Sequence, residues 1–333
     1  MLYRDLEIDG KAAGRRVDVY LSARFSSYSR TRIARHIRAG DVLRNGTPAK
    51  PAALLAAGDV LRIFIPGIAP LTPPPPLPAV LYEDGVLIAF SKPSGMLVHP
   101  AGETFTWGLI GLVRAARPGC RVDLVHRIDR ETSGVLIITK DLAANAVMKE
   151  HFRLRRVKKT YLAVVRGEPR WDTLEIRAPI GDAADSEIGL RKGTCDDGQH
   201  AHTTATVLKR LGGHALVSCG LHTGRTHQIR VHMEHTGHPL LGDKIYGQPD
   251  ATFLRWLSGE RSPALRAQLG FPRHALHAWR LSFPHPTTGQ PCTVEAPLPA
   301  DMQAVVDGTP PAWPAPVEQV GGAGVTIGVP EDS

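Results

Sequence analysis

Prolines decide where this chain must break. Pro66, Pro70, the run Pro73-Pro74-Pro75-Pro76 and Pro78 crowd into one stretch. A pyrrolidine ring fixes φ and carries no backbone N–H, so such a stretch enters neither a helix interior nor a central strand. It predicts an extended, semi-rigid spacer. The chain therefore divides into a small unit over residues 1–70, a linker over 71–79, a larger unit over 80–303 and a tail over 304–333. A length of 333 residues suffices for one sizeable core beside a smaller domain.

The formal net charge is +8, which suits a polyanionic partner. Its distribution says more than its total. Residues 1–70 carry 12 Lys+Arg against 6 Asp+Glu, residues 71–303 carry 28 against 22, and the tail carries none against 4. Both expected folded units are basic, and only the tail opposes them. The tail is rich in Pro, Gly and Ala and is expected to be disordered or loosely attached. Cys120, Cys195, Cys219 and Cys292 are far apart and form no C-x-x-C pair, so they read as reduced thiols. No apolar run reaches membrane-spanning length, and Met1 to Gly10 holds no signal-peptide core. A cytoplasmic monomer with no membrane contact is expected.

In the small unit, Ser29 caps a predicted helix that runs to about Ala39 and ends at Gly40. Ile33 and Ile37 are spaced to face a core, while Arg32, Arg35 and Arg38 project elsewhere. Short strands are predicted around Val42-Leu43 and Val60 to Ile65, with a turn at Asn45-Gly46. The order Arg16-Val17-Asp18-x-x-Leu21, Ser29-Arg30, Ile37-x-x-Gly40-x-Val42, Asn45-Gly46 and Gly58-Asp59 resembles the S-four-type RNA-binding domain. That resemblance implies phosphate contacts for Arg30, Arg32, Arg35 and Arg38.

The larger unit alternates short apolar runs with turns, as in Val86 to Phe90, Tyr161 to Val165 and His214 to Ser218, with a helix predicted at Leu142 to Phe152. Short loops between such strands predict an α+β fold built on a mainly antiparallel mixed sheet. There is neither a Walker loop nor a G-x-G-x-x-G, so no nucleotide cofactor is expected.

One turn in this unit carries a carboxylate between two predicted strands, Arg121 to Val125 and Val135 to Thr139. It reads Val125-His126-Arg127-Ile128-Asp129-Arg130-Glu131-Thr132-Ser133-Gly134. An acid at such a junction is held by rigid neighbours and can still face a cleft. The wording His-Arg-Ile-Asp-x-x-Thr-Ser-Gly resembles the signature of the RluA-type pseudouridine synthases, with Ile128 in place of Leu. Further blocks follow in that family's order: Ser91-Lys92-Pro93-Ser94-Gly95, Lys159-Thr160-Tyr161-x-Ala163, Thr223-Gly224-Arg225-Thr226-His227-Gln228-Ile229-Arg230, and Ala275-Leu276-His277-Ala278. The resemblance covers most of residues 10–302. It implies a cofactor-free isomerase acting on structured RNA, with large-subunit ribosomal RNA as the expected substrate. A tRNA-directed enzyme and a non-catalytic RNA-binding or ribosome-assembly factor on this fold are the competing expectations.

The same resemblance implies the site. Asp129 is the carboxylate that acts at the sugar, either by adding to ribose carbon 1 or by taking a proton from carbon 2. Tyr161 stacks on the target uracil and takes part in proton removal at its carbon 5. Arg225 pairs with Asp129, since a carboxylate under a base needs a cation beside it and a guanidinium offers two-point geometry. His126, Arg127, Arg130 and Arg230 are assigned to RNA, Arg230 through a phosphate or by supporting the fold. His222, His227, His232, His235 and His238 lie close in sequence, but they alternate with arginine and lack supporting cysteines, so no metal is expected.

Overall fold

The computed structural model describes residues 4–25, 28–63, 75–99, 108–117 and 119–313. Residues 64–74, which include the first part of the expected linker (71–79), and the tail from 314 onward lie outside the described residues, and residues 75–79 form neither helix nor strand.

In the small unit the predicted helix spans Arg30–Arg38, and the Ser29 hydroxyl accepts a hydrogen bond from the Arg32 N–H at 3.3 Å. Ile33 and Ile37 turn inward against Val17 and Leu21 of a helix at Val17–Arg24 and against Leu61 and Ile63 of the sheet. Each of these fully buried aliphatic side chains contributes roughly 1.5–3 kcal/mol. The strands lie in the order Arg4–Glu7, Val60–Ile63, Val42–Arg44, Thr47–Pro48, all antiparallel. Asn45 and Gly46 both adopt positive φ, 50° and 81°, the turn that matches the twist of a two-residue hairpin.

The large unit is organised by a ten-stranded sheet. Its main path runs Thr173–Ile176, Thr203–Arg210, His214–Leu221, Lys158–Arg166, Leu276–Pro284, Ser133–Thr139, Leu87–Lys92, Val80–Glu83. One pairing in it is parallel, Ser133–Thr139 beside Leu276–Pro284, so the expected mainly antiparallel α+β architecture is what forms. Every residue of Ser133–Thr139 is buried. Alternation explains why: Val135 and Ile137 enter one core, Leu136 and Ile138 another, on opposite faces of the sheet. The strand expected at Arg121 to Val125 shortens to Asp123–Leu124. The helix at Leu142–Arg153 starts at Asp141, whose carboxylate accepts from the Ala144 N–H at 2.9 Å.

Gly134 fixes the position of the central parallel pair. Its φ is 114°, and a Cβ there would stand 2.2 Å from the Ala278 carbonyl oxygen. Only glycine lets the two strands approach at this point. The chain stays with the large unit past the boundary expected at 303: a helix covers Ala300–Val306, and Trp313 packs 6.4 Å from Trp256 between ring centroids.

Candidate active site

The turn that precedes the strand Ser133–Thr139 is anchored residue by residue. The His126 Nε2 accepts the Ile137 N–H at 3.0 Å, and its ring stacks on Phe152. Ile128 is buried in the core beneath. The Arg130 carbonyl accepts from the Gly95 N–H at 2.8 Å and from the Lys92 ammonium at 3.0 Å, while Arg130 Nε donates back to the Gly95 carbonyl at 3.0 Å. Glu131 accepts twice from Lys244, at 2.7 and 2.9 Å. Thr132 meets His274 at 2.8 Å and Ser133 meets His277 at 3.0 Å. Lys92 is wholly buried and spends its other two protons on the Pro93 and Met96 carbonyls. Burial, helped by the charge of Arg273 and opposed by Asp129, brings its pKa down to about 7.

With its neighbours tied down, Asp129 is left facing a cavity of about 660 Å³ lined also by Arg127, Tyr161, Arg225, His227 and Arg230. Its side chain is 35% exposed, enough for a ligand to reach. The cation beside it is Arg230: Nη1 lies 3.5 Å from Oδ2. Arg230 is itself 6% exposed and is held from behind by Asp243, with Nε and Nη2 donating at 2.7 and 2.8 Å. Burial opposes its charge, but Asp243, by charge and hydrogen bond, and then Asp129 more than compensate, so its pKa rises. Asp243 in turn accepts from the Ile245 and Tyr246 N–H groups, and its pKa falls despite burial.

Two sequence assignments change here. Arg225 does not pair with Asp129: its Nε donates to the His200 carbonyl at 3.0 Å, and its backbone N–H goes to Gln228. Arg225 sits in the loop before the helix Gln228–His235, whereas Arg230 lies within that helix and points inward. Arg230 therefore stands where Arg225 was expected, and of the two roles expected of it, a phosphate contact or support of the fold, its buried bonds to Asp243 fit the second. His126 is likewise a support for the turn, since its Nε2 is already engaged by the backbone. Arg127 and Arg130 are exposed, with Arg130 fastened to Gly95.

His227 completes the ring around Asp129. Its Nε2 is 4.0 Å from Asp129 Oδ2 and its Nδ1 is 2.8 Å from the Tyr246 hydroxyl. That hydroxyl also accepts the Lys192 N–H at 3.0 Å. Burial and the charge of Arg230 push the imidazole pKa down to about 4, with Asp129 opposing. His227 takes a left-handed backbone (φ 57°, ψ 16°), which residues other than glycine adopt infrequently, at the start of the helix. Among the described residues, both charged partners of the Asp129 carboxylate, Arg230 and His227, approach it at Oδ2. Tyr161, on the strand Lys158–Arg166, lines the same cavity, and burial and then the Asp129 charge raise its pKa so that the phenol stays protonated.

The five clustered histidines scatter. His232 is buried against Thr203 and the Ala178 carbonyl, and His238 bonds the Arg166 carbonyl. His235 meets the Thr194 hydroxyl at 3.3 Å. His222 joins His202 and Glu175, whose ligand atoms lie within 4.8 Å of one another; the Thr204 hydroxyl bridges Glu175 and His222, and His202 bonds Glu175 directly. In the small unit Arg30 binds the buried Asp18 at 3.0 Å and Arg32 lies over the Tyr28 ring, while Arg35 and Arg38 are exposed. Sequence reasoning missed Asp243, Tyr246 and Lys92. Each bears on the site through a partner elsewhere in the chain, Lys92 through the Arg130 carbonyl, Asp243 through Arg230 and Tyr246 through His227, so no local spacing announces it.

The arrangement places one carboxylate, anchored on one oxygen by a fixed cation, beside a flat aromatic wall in a basic cleft. Residues 86–235 match the family described as RNA pseudouridylate synthase, and residues 15–61 match the S4 domain. The chain is 34% identical to ribosomal large subunit pseudouridine synthase D of Xanthomonas campestris, over 91% of each chain. It is 36% identical to the protein of that name in Neisseria meningitidis serogroup A, over 89% of this chain and 79% of the other. To ribosomal large subunit pseudouridine synthase C of Vibrio vulnificus it is 35% identical, over 90% and 95%. Among solved structures it resembles human RNA pseudouridylate synthase domain containing 1, with a TM-score of 0.56 at 24% identity over 75% of this chain and 96% of the other.

Proposed function

The chain belongs to the RNA pseudouridylate synthase family, and we propose that it isomerises a uridine in large-subunit ribosomal RNA with Asp129 as the acting carboxylate. The reaction breaks the bond between ribose carbon 1 and uracil nitrogen 1, turns the base, and joins its carbon 5 to the same sugar carbon. One proton leaves carbon 5 and one arrives at nitrogen 1, so nothing is consumed and no cofactor is required. The site must therefore stabilise an electron-poor sugar carbon and a detached, electron-rich base.

The observation that carries this reading is the Asp129–Arg230 contact, Nη1 to Oδ2 at 3.5 Å, on a carboxylate that is 35% exposed and lines the cavity. A carboxylate held this way presents one oxygen to an electron-poor sugar carbon, as glycosidase carboxylates do. Tyr161 supplies a flat, protonated surface for a base taken out of its stack. Arg225 and Arg127, on the cavity wall, are placed to meet the RNA backbone. The ribosomal substrate is supported by the names of the relatives and by the S-four-type domain.

The test is direct. Purified protein and its Asp129→Asn variant are incubated with transcripts of large-subunit ribosomal RNA and of tRNAs, and pseudouridine is mapped. Modification of the ribosomal transcript by the wild type, lost in the variant while RNA affinity stays within a few-fold, is the expected result. Modification confined to tRNA would refute the substrate, and turnover by the variant would refute Asp129.

A further inference from the structure

We propose that a second cavity, next to the active site, binds a backbone phosphate of the RNA strand that enters it, with Lys159 as the central contact. This rests on the uridine-isomerase reading of the neighbouring site. The cavity measures about 820 Å³ and shares Phe152, Lys159, Leu221, Gly224 and Arg225 with the one that holds Asp129. The two cavities adjoin, so a strand whose target base occupies the first has the second beside it.

The chemistry of its wall is one-sided. Arg153, Arg155, Lys158, Lys159 and Arg225 line it, and among the described residues no Asp or Glu does. Glu175, behind this wall, is already taken up by His202 and Thr204, and Glu150 neutralises Arg153. Among the described residues no carboxylate forms an ion pair with Lys159. Its ammonium donates one hydrogen bond, to the Thr223 carbonyl at 3.2 Å, which leaves two protons for the cavity. Burial, and then the charge of Arg155, lower its pKa. A largely buried ammonium without a counter-ion is unfavourable until an anion arrives.

Two further features hold this arrangement in place. Gly224 follows Thr223, and a Cβ there would stand 3.2 Å from the Lys159 ammonium, so glycine lets the peptide close on it. Arg155, just past the helix Leu142–Arg153, takes φ 58°, the left-handed conformation that glycine favours after a helix. A charged residue is thus kept where the backbone prefers glycine. Lys159 and Tyr161 are two apart on one strand and share a face, about 7 Å from each other. That spacing is on the scale of one nucleotide, so a uracil against Tyr161 brings a neighbouring phosphate to Lys159.

The experiment uses full-length protein, Lys159→Met and Lys159→Arg, with the target RNA and with copies carrying one neutral methylphosphonate at each linkage flanking the uridine. Affinity is measured apart from turnover. Lys159→Met is expected to weaken binding at least tenfold and to lower the salt slope by about 0.7, the value for one single-strand phosphate. Lys159→Arg should restore most of both. On the RNA neutralised at one particular linkage, wild type and Lys159→Met should bind alike. Equal binding by the two proteins on unmodified RNA, or an undiminished difference at every linkage, would overturn the phosphate contact. Failure of wild type to form pseudouridine would overturn the isomerase reading instead, and the affinities would still decide the contact.

Discussion

Arg230 stands between two carboxylates, with Nη1 3.5 Å from Asp129 and its other two donors 2.7 and 2.8 Å from Asp243. Asp243 is fully buried and fixes the guanidinium plane, so the orientation of Asp129 is set from a residue that never meets the cavity. Arg230→Ala leaves Asp243 buried without its partner and should cost roughly 3–5 kcal/mol of stability. Arg230→Lys keeps the charge but loses the fork, and should lower kcat about a hundredfold through misplacement of Asp129. Arg225→Ala should melt near the wild-type temperature and retain chemistry at saturating RNA. Melting curves and kcat for the three variants decide the pairing, and an inactive Arg225→Ala beside an active Arg230→Lys would reverse it.

Tyr161 brings a ring and a hydroxyl, and the two separate by substitution. Tyr161→Phe keeps the flat surface, so RNA affinity should hold. If the hydroxyl takes part in moving the carbon 5 proton, kcat should fall by about 10²–10⁴, the range for general acid–base groups. Tyr161→Ala should in addition weaken binding of the target base, as loss of a stacking platform does. A Tyr161→Phe enzyme with wild-type kcat would reduce the residue to a stacking surface.

The active-site turn depends on neutral imidazole. His126 accepts the Ile137 N–H through Nε2, and loss of solvation, with the charge of Lys159, brings its pKa down to about 3. His227 stands at about 4. An unfolded histidine titrates near 6.5. Between those values the unfolded chain binds more protons than the folded one, so the stabilisation is full above pH 6.5 and is lost as pH falls through 4 toward 3. The urea midpoint should drop between pH 7 and pH 4.5. His126→Gln, which can still accept the backbone bond, should shrink that drop; an unchanged pH slope would place the acid sensitivity elsewhere.

Among the described residues, the group of side chains able to hold a metal ion lies apart from Asp129. Glu175, His202 and His222 bring three donors within 4.8 Å, yet His202 and His222 line the adjoining cavity and not the one that holds Asp129. Isomerisation moves bonds within one molecule and needs no Lewis acid. Exhaustive EDTA treatment should leave kcat unchanged. Loss of activity on chelation, restored by zinc alone, would show that this cluster serves catalysis.

What the sequence made legible was what repeats locally. The β-branched run at Val135 to Thr139 announces a buried strand, Asn45-Gly46 announces a hairpin, and Ser29 announces a helix start. Asp129 was readable because its turn carries a dense set of side chains, each with its own partner. The choice between Arg225 and Arg230 was not readable. Both occur in one block, and it turns on where the helix begins, which is set by the left-handed residue His227 at its N-terminus. Asp243 and Tyr246 were invisible for a related reason: they matter only through contacts with Arg230 and His227, 13 and 19 residues away.

The small unit offers the last prediction, because its helix Arg30–Arg38 divides its own arginines. Arg30 is committed to the buried Asp18 and Arg32 lies over Tyr28, so both hold the fold together. Arg35 and Arg38 are exposed and belong to the unit with the steeper charge excess, 12 Lys+Arg against 6 Asp+Glu. Arg35→Gln with Arg38→Gln should therefore leave the melting temperature nearly unchanged and weaken RNA binding. If each arginine neutralises one phosphate, the slope of log affinity against log salt should become shallower by about 1.8 on duplex RNA, taking the B-form value per phosphate as a guide. The rate at saturating RNA should hold, since Asp129, Tyr161 and Arg230 all lie beyond the linker. Arg30→Gln is the contrasting variant: it leaves Asp18 with Arg16 alone and should act first on stability. If the Arg35/Arg38 variant kept its affinity and its salt slope, this helix would not be where the small unit meets RNA.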